Sequence, residues 1–157
     1  MRGFCFHVNN EYFIVDVDLV HKVMAKMTVT PVPSSPEEVI GIANIKGRVI
    51  TVFNLYRLLG QTERRSINYS YHAVKAVIFK SHFGSDDQIG LLISKPGNLI
   101  EIDDEIIRSP SLVPGAEENF CISGIAEVDN KFYRIINIES IITKYKLNGG
   151  KENAEKI

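Results

Sequence analysis

Alternation with a period of two opens the chain. Phe4, Phe6 and Val8 share one face of an extended segment, Asn9-Asn10 tolerates positive φ, and Tyr12–Val17 is a second apolar run. That order predicts a β-hairpin. The spacing then changes: Leu19, Val20, Val23, Met24 and Met27 recur at helical intervals behind Asp18, which predicts a short capped helix. Pro31-Val32-Pro33 enforces an extended connection, because a residue before proline is held out of the α region. Ser35-Pro36-Glu37-Glu38 has the make-up of a small helix start, with Ser35 as N-cap, Pro36 at the first position and Glu38 closing a capping box.

Ile42–Ile45, the turn Lys46-Gly47-Arg48 and the run Val49–Leu55 predict a second hairpin, followed by a helical turn over Leu55–Leu59 that Gly60 ends. Gln61–Tyr71 is polar and aperiodic and reads as a long connection. Ala73–Phe79 and Ile89–Ile93 are strands around the turn residues Gly84-Ser85-Asp86-Asp87, and Leu99–Ile102 is another. Phe120–Val128 and Phe132–Ile136 flank Asp129-Asn130, and Asn137 caps a closing helix, Ile138–Lys146, stopped by Gly149-Gly150. Residues 148–157 form a polar tail, frayed over Lys151–Ile157.

The two halves repeat one another. Gly41–Leu55 aligns without gaps to Gly124–Ile138 at an offset of 83 residues. Gly-Ile-Ala opens both stretches, Gly47 and Asn130 each suit a tight turn, and Asn stands before the final Leu or Ile. About ten short strands with few helices predict a mainly β protein, in small barrels or a sandwich. The repeat favours two copies of one β-barrel unit, each too small to be comfortable alone, packed against each other.

Composition narrows the function. The 157 residues are 45% hydrophobic and 24% charged, which is an ordinary globular balance. Eighteen basic and nineteen acidic residues leave a formal net charge of −1, so no global basic field exists to hold a polyphosphate. The longest apolar runs, such as Tyr12–Val17 and Val49–Leu55, fall far short of the ~20 residues of a membrane span. Met1-Arg2-Gly3 leads directly into a strand without an h-region, so a secretory signal is not expected. Cys5 and Cys121 sit in separate apolar runs and read as buried thiols in a reducing cytoplasm.

Catalytic chemistry finds no constellation. The glycines are turn punctuation rather than a phosphate cradle between strand and helix. Cys5 and His7 share a strand face, but neither a Cys-x-x-Cys nor a His-x-x-x-His pair completes a metal site, so no metal or cofactor is expected. His21, His72 and His82 are isolated, in keeping with surface or strand-end use; Ser94 and Ser123 lack a nucleophile elbow. Asp103-Asp104-Glu105 suits a helix first turn better than a carboxylate pair. Arg57, Arg64 and Arg65 lie near Tyr56, Tyr69 and Tyr71 in the manner of a stacking platform, although the charge balance favours a solvated linker. What remains is surface for proteins. Val20, Ile42 and Ile45 sit beside turns, where apolar side chains either complete the core or face a partner.

Gly41–Leu55 resembles the signature of CheW-type chemotaxis coupling domains, a glycine and a hydrophobic residue leading to Asn-Leu-Arg-Gly and then to a strand ending in Asp-Leu. The resemblance spans nearly the whole chain, through Val20-His21-Lys22-Val23, the Val32-Pro33…Pro36 approach, Ile89–Ile93 and Ile122-Ser123-Gly124-Ile125. It implies two intertwined five-stranded SH3-like barrels with short helices and a C-terminal helix: one CheW-like domain over residues 1–157 whose subdomains exchange segments, divided near residues 61–72. It also implies a non-catalytic cytoplasmic adaptor. The expected partners are the regulatory domain of a CheA-type histidine kinase and the hairpin tip of methyl-accepting chemoreceptors, with no nucleic acid and no membrane insertion. Val20, Lys22, Gly41, Ile42, Asn44, Lys46 and Arg48 are then the partner-binding candidates, and Gly47 and Asn130 the structural turn residues.

The chain departs from that family pattern where the interface chemistry lies. Lys46 replaces the usual Arg and Lys22 the Glu it faces; Thr51, Asn54 and Ser94 replace Pro, Asp and Asp. Two ammonium groups cannot form the bidentate pair that Arg and Glu would. The substitutions point to a divergent coupling protein with its own receptor or kinase. A scaffold in a non-motility pathway and, less favoured, a small β-barrel nucleic-acid-binding protein stand as alternatives.

Overall fold

The computed structural model describes residues 1–60, 69–81, 88–113 and 119–145. Among these residues, ten strands form two five-stranded sheets. The first sheet takes β1 (Arg2–Val8), β2 (Glu11–Asp16), β8 (Lys95–Glu101), β9 (Ile122–Val128) and β10 (Lys131–Ile136), in the order β8-β1-β2-β10-β9. The second takes β3 (Val20–Met27), β4 (Val39–Ile45), β5 (Arg48–Phe53), β6 (Val74–Phe79) and β7 (Gln88–Leu92), in the order β3-β6-β7-β5-β4. A one-turn helix, α1 (Leu55–Leu58), follows β5, and a second, α2, covers residues 138–145 after β10.

The internal repeat is visible in the register. In β4–β5 the pairing slips between Val39 and Gly41; in β9–β10 it slips between Ile135 and Ile136, at the equivalent place 83 residues on. β5 runs parallel to β7 as β10 runs parallel to β2, with Ile50↔Gln88 matching Tyr133↔Tyr12. Both turns use two residues in the left-handed region, Lys46 and Gly47 (φ 52° and 81°), and Asp129 and Asn130 (51° and 64°). That handedness matches the strand twist and closes a two-residue hairpin. Asn54 Oδ1 then accepts from Tyr56 N–H at 3.0 Å, and Asn137 Oδ1 from Ser140 N–H at 3.2 Å, so each helix starts on an asparagine cap. Gly60, at φ 72°, ends α1.

The sheets interlock. The second is one continuous stretch of chain, whereas the first is assembled from both ends. Between the described strands the chain passes from one sheet to the other at residues 17–19 and 93–94, and β6 and β7 pair with β3 and β5. Each sheet curls until one bridge nearly closes it, Thr30 to Ile42 in one and Arg108 to Ile125 in the other. Phe6, Val8, Phe13 and Val15 from the first sheet join the core of the second, together with Ile138 and Ile141 of α2. Cys5, Ile14, Ile102, Ala126 and Ile135 fill the first sheet separately. Tyr56 of α1 donates its hydroxyl to the Val8 carbonyl at 3.0 Å, and Phe53 meets Tyr145 of α2 at 4.8 Å between ring centres.

Two predicted helices are absent. Residues 20–27 form β3, an edge strand with two bulges, and only a 3₁₀ turn over Val17–Leu19 precedes it, capped by Asp16 rather than Asp18. Each bulge inserts one residue, so Val20, Val23, Met24 and Met27 reach the core at intervals that imitate a helix. Ser35–Glu38 makes a single turn, Val39 N–H donating to the Pro36 carbonyl at 3.0 Å, because β4 must begin at Val39 to pair with Phe53. Asp103 does cap a short 3₁₀ turn, Asp104–Ile106, as expected of that acidic run. The Gly84–Asp87 turn, Arg64, Arg65, His82, the Gly149-Gly150 stop and the tail 148–157 lie outside the described residues.

Candidate functional site

The β4–β5 hairpin and β3 carry the sequence candidates, and the pleat divides them between two faces. Ile45 pairs with Arg48 and Ala43 with Ile50, which puts these four on the barrel side; Ile42, Asn44, Val49 and Thr51 take the outer side. On the barrel side, His21, Lys22, Lys46 and Arg48 surround a cavity of about 270 Å³ that Ile45, Ile50 and Gln88 complete. Its base is neutral: Ile50 is buried, and the buried Gln88 amide donates to the Phe79 carbonyl at 3.0 Å. Among the described residues, its wall includes no carboxylate.

His21 and Lys22 both reach this cavity because of the first bulge in β3. Val20 pairs with Phe79 and Lys22 with the next residue back, Ile78, so His21 is the extra residue. A bulge re-aims neighbouring side chains that a regular strand would send to opposite faces. The isolation of His21 in the sequence suits surface or strand-end use, and it is exposed near the start of β3. No spacing rule could have placed it beside Lys46, since the bulge answers to pairing with a strand some 55 residues away.

The remaining candidates do different work. Gly41 is buried with the Thr30 carbonyl oxygen directly over it, and it offers no side chain to a partner. Val20 is half-buried against the main core. Ile42 is half-buried and Asn44 exposed on the outer face, where Asn44 Oδ1 accepts from Gly47 N–H at 3.1 Å and steadies the turn. Lys22 and Lys46 thus both line one cavity.

The outer side of the β9–β10 hairpin carries a second cavity, acidic where the barrel-side one is basic. Glu105, Glu127 and Asp129 line a cavity of about 580 Å³ with Ile106, Arg108, Ile125 and Phe132. Phe132, 57% exposed, stands at the position equivalent to Val49, 47% exposed.

Burial pushes the Cys5 thiol up to about 11 and the Cys121 thiol up to about 12. His7 is held below its ordinary value by burial and then by Lys95 and Lys131. Among the described residues, no three His, Cys, Asp or Glu side chains converge as metal ligands would. Of the Arg/Tyr strip, Tyr56 is core and Arg57 pairs with Glu37, while Arg64 and Arg65 lie outside the described residues. No helix of the described residues is long and apolar enough to cross a membrane.

Residues 2–146 match the family model of the CheW-like domain. This chain belongs to the CheW-like domain family. It is 24% identical to the chemotaxis protein CheW of Thermotoga maritima over 145 residues, covering 92% of this chain and 89% of that protein. It is also 24% identical to the probable chemotaxis protein CheW of Rhizobium etli over 140 residues, covering 88% and 85%. Among solved structures, it superposes on the scaffolding protein CheW of Thermoanaerobacter tengcongensis with a TM-score of 0.71 and 27% identity, covering 87% of this chain and 88% of that one. The two sheets of this CheW-like domain are therefore its two SH3-like subdomains, and its relatives are scaffolds of chemotaxis.

Proposed function

We propose that this CheW-like domain is a non-catalytic cytoplasmic adaptor in chemotaxis signal transduction, coupling the hairpin tip of methyl-accepting chemoreceptors to the regulatory domain of a CheA-type histidine kinase. The observation that carries the reading is family membership along residues 2–146. The fold suits the task, since the first sheet lends Phe6, Val8, Phe13 and Val15 to the core of the second and the two sheets present several separate outer faces. Coupling then needs no chemistry: an adaptor that binds the kinase's active and inactive arrangements with different affinity shifts their balance. Val20, Lys22, Ile42, Asn44, Lys46 and Arg48 form the partner-binding region of this reading, with Gly41, Gly47 and Asn130 shaping the hairpins.

Calorimetric titration against the kinase regulatory domain and, separately, a receptor hairpin fragment from the same source tests the proposal. Binding of both on the order of micromolar is the expected result. Binding of neither would remove the coupling role and leave the fold. Binding of the receptor fragment alone would move the protein to a scaffold outside the kinase pathway.

A further inference from the structure

The second crossing between the sheets carries a knot of polar contacts. Ile93 and Ser94 stand there between β7 and β8. Ile93 is buried in the core of the second sheet, and its N–H donates to the Lys75 carbonyl of β6 at 2.9 Å. Ser94 reaches back to the first sheet. Its N–H donates to the His7 carbonyl at 2.9 Å, and its Oγ accepts from Asn9 N–H at 2.8 Å. Its own carbonyl accepts from Lys75 Nζ at 3.2 Å, so this one residue ties the β1–β2 turn of the first sheet to β6 of the second. Between His7 and Asn9, the Val8 carbonyl accepts from the Tyr56 hydroxyl of α1 at 3.0 Å. Residues 7, 8 and 9 are thus each held from the crossing or from α1.

Apolar burial has no preferred direction, and packed elements can slide on one another by small shear movements. Hydrogen bonds do have direction, and those donated by an ammonium are among the stronger kinds. Phe6, Val8, Phe13 and Val15 join the core of the second sheet and hold the barrels together. We propose that Ser94 is the clasp that fixes how the barrels are turned: with it closed they move as one body, and with it open they shear while each keeps its own strands. The Lys75 ammonium holds the clasp from one side and the backbone of residues 7 and 9 from the other. On the adaptor reading above, a change at one barrel reaches a partner on the other only while the two turn together.

Two measurements on the full chain test the clasp, and neither uses a partner, so the adaptor role can fail without moving them. The first is native-state hydrogen exchange with Ser94→Ala. The informative amide is that of residue 94, whose own acceptor, the His7 carbonyl, is left in place by the change. It should exchange about fivefold faster, as should the same amide in Lys75→Met, while amides inside β5 and β10 keep their protection. Ser94→Thr, which keeps the hydroxyl, should exchange like wild type. An amide at residue 94 unmoved in both variants would overturn the clasp, since the bonds would then act one by one. The second measurement places nitroxide labels at Val49→Cys and Phe132→Cys, exposed positions on the two sheets of a protein whose own thiols are buried. Pulsed electron paramagnetic resonance should give one narrow distance distribution, broadened by Ser94→Ala and narrow again with Ser94→Thr. A broad distribution in wild type, or a narrow one in every variant, would overturn it. If Ser94→Ala does not fold, exchange of wild type in low urea decides. The Asn9 and Ser94 amides should open together and below the free energy of global unfolding; separate openings sink the clasp.

Discussion

Thr30 and Ile42 exchange two backbone hydrogen bonds, of 2.8 and 2.9 Å, and so bring the segment after β3 across the end of β4. Arg108 and Ile125 do the same across β9, each bond 2.9 Å. The crossings explain the repeated Gly-Ile-Ala. Glycine lets the crossing segment approach, isoleucine supplies the bridge, and alanine fits the barrel interior, where Ala43 and Ala126 are buried.

Alanine substitutions at three glycines should therefore rank. At Gly41 an added Cβ would lie 2.4 Å from the Thr30 carbonyl oxygen, so the bridge must break, at a cost of about 3 kcal/mol or more. At Gly124 the nearest atom is Ile107 Cγ2 at 2.6 Å, a side chain able to turn away, for about 1–2 kcal/mol. At Gly47 nothing lies within 4 Å and only the φ of 81° resists, for about 1 kcal/mol. Urea unfolding of the three variants measures the order; equal losses would contradict it.

Tyr56 ties α1 to the turn end of β1 through its hydroxyl, and removing that group breaks the bond to the Val8 carbonyl. Tyr56→Phe should cost about 1 kcal/mol, within the usual range for a hydrogen bond. Tyr56→Ala also opens a cavity in the shared core and should cost about 3–5 kcal/mol. A Phe variant as damaging as the Ala variant would show that the hydroxyl does more than this bond.

The two thiols should be silent in the native protein. With burial holding Cys5 near 11 and Cys121 near 12, little thiolate is present at pH 8, and access is closed. Titration with a disulfide reagent should find no thiol before unfolding and two after it. A fast-reacting thiol in the folded protein would refute the burial.

Stability should decline on the acid side partly through His7. Its folded value lies below the ordinary 6.5, so the unfolded chain binds the proton more readily. The contribution is complete above 6.5 and is lost as pH falls below it towards the folded value. Unfolding free energies of wild type and His7→Gln should agree near neutrality, with wild type losing more as pH drops below about 6.5. Parallel curves would assign the acid limb to other groups.

The elements the sequence made legible are those closed by local chemistry. Asn9-Asn10, Lys46-Gly47 and Asp129-Asn130 announce hairpins because few residues accept a positive φ, and all three turns lie where expected. Asn137 and Gly60 mark helix ends through a side-chain acceptor and a free backbone, requirements met within three residues. Family and internal repeat were legible for the same reason, since turn, cap and bulge residues recur in order. The strand at residues 20–27 was not. Its spacing suits a helix, and only pairing with β6, with an inserted residue at each bulge, makes it extended.

The sequence by itself determined the hairpins, the caps, the twofold repeat and the set of residues from which a binding face is drawn. Tertiary structure alone decided which strands share a sheet, that both chain ends build the first barrel, and that Lys22 and Lys46 meet with Arg48 and His21 around one cavity. Turns and caps are satisfied by neighbours along the chain. Sheet membership and side-chain convergence depend on pairings between distant segments, and those are chosen by how much apolar surface the whole assembly buries.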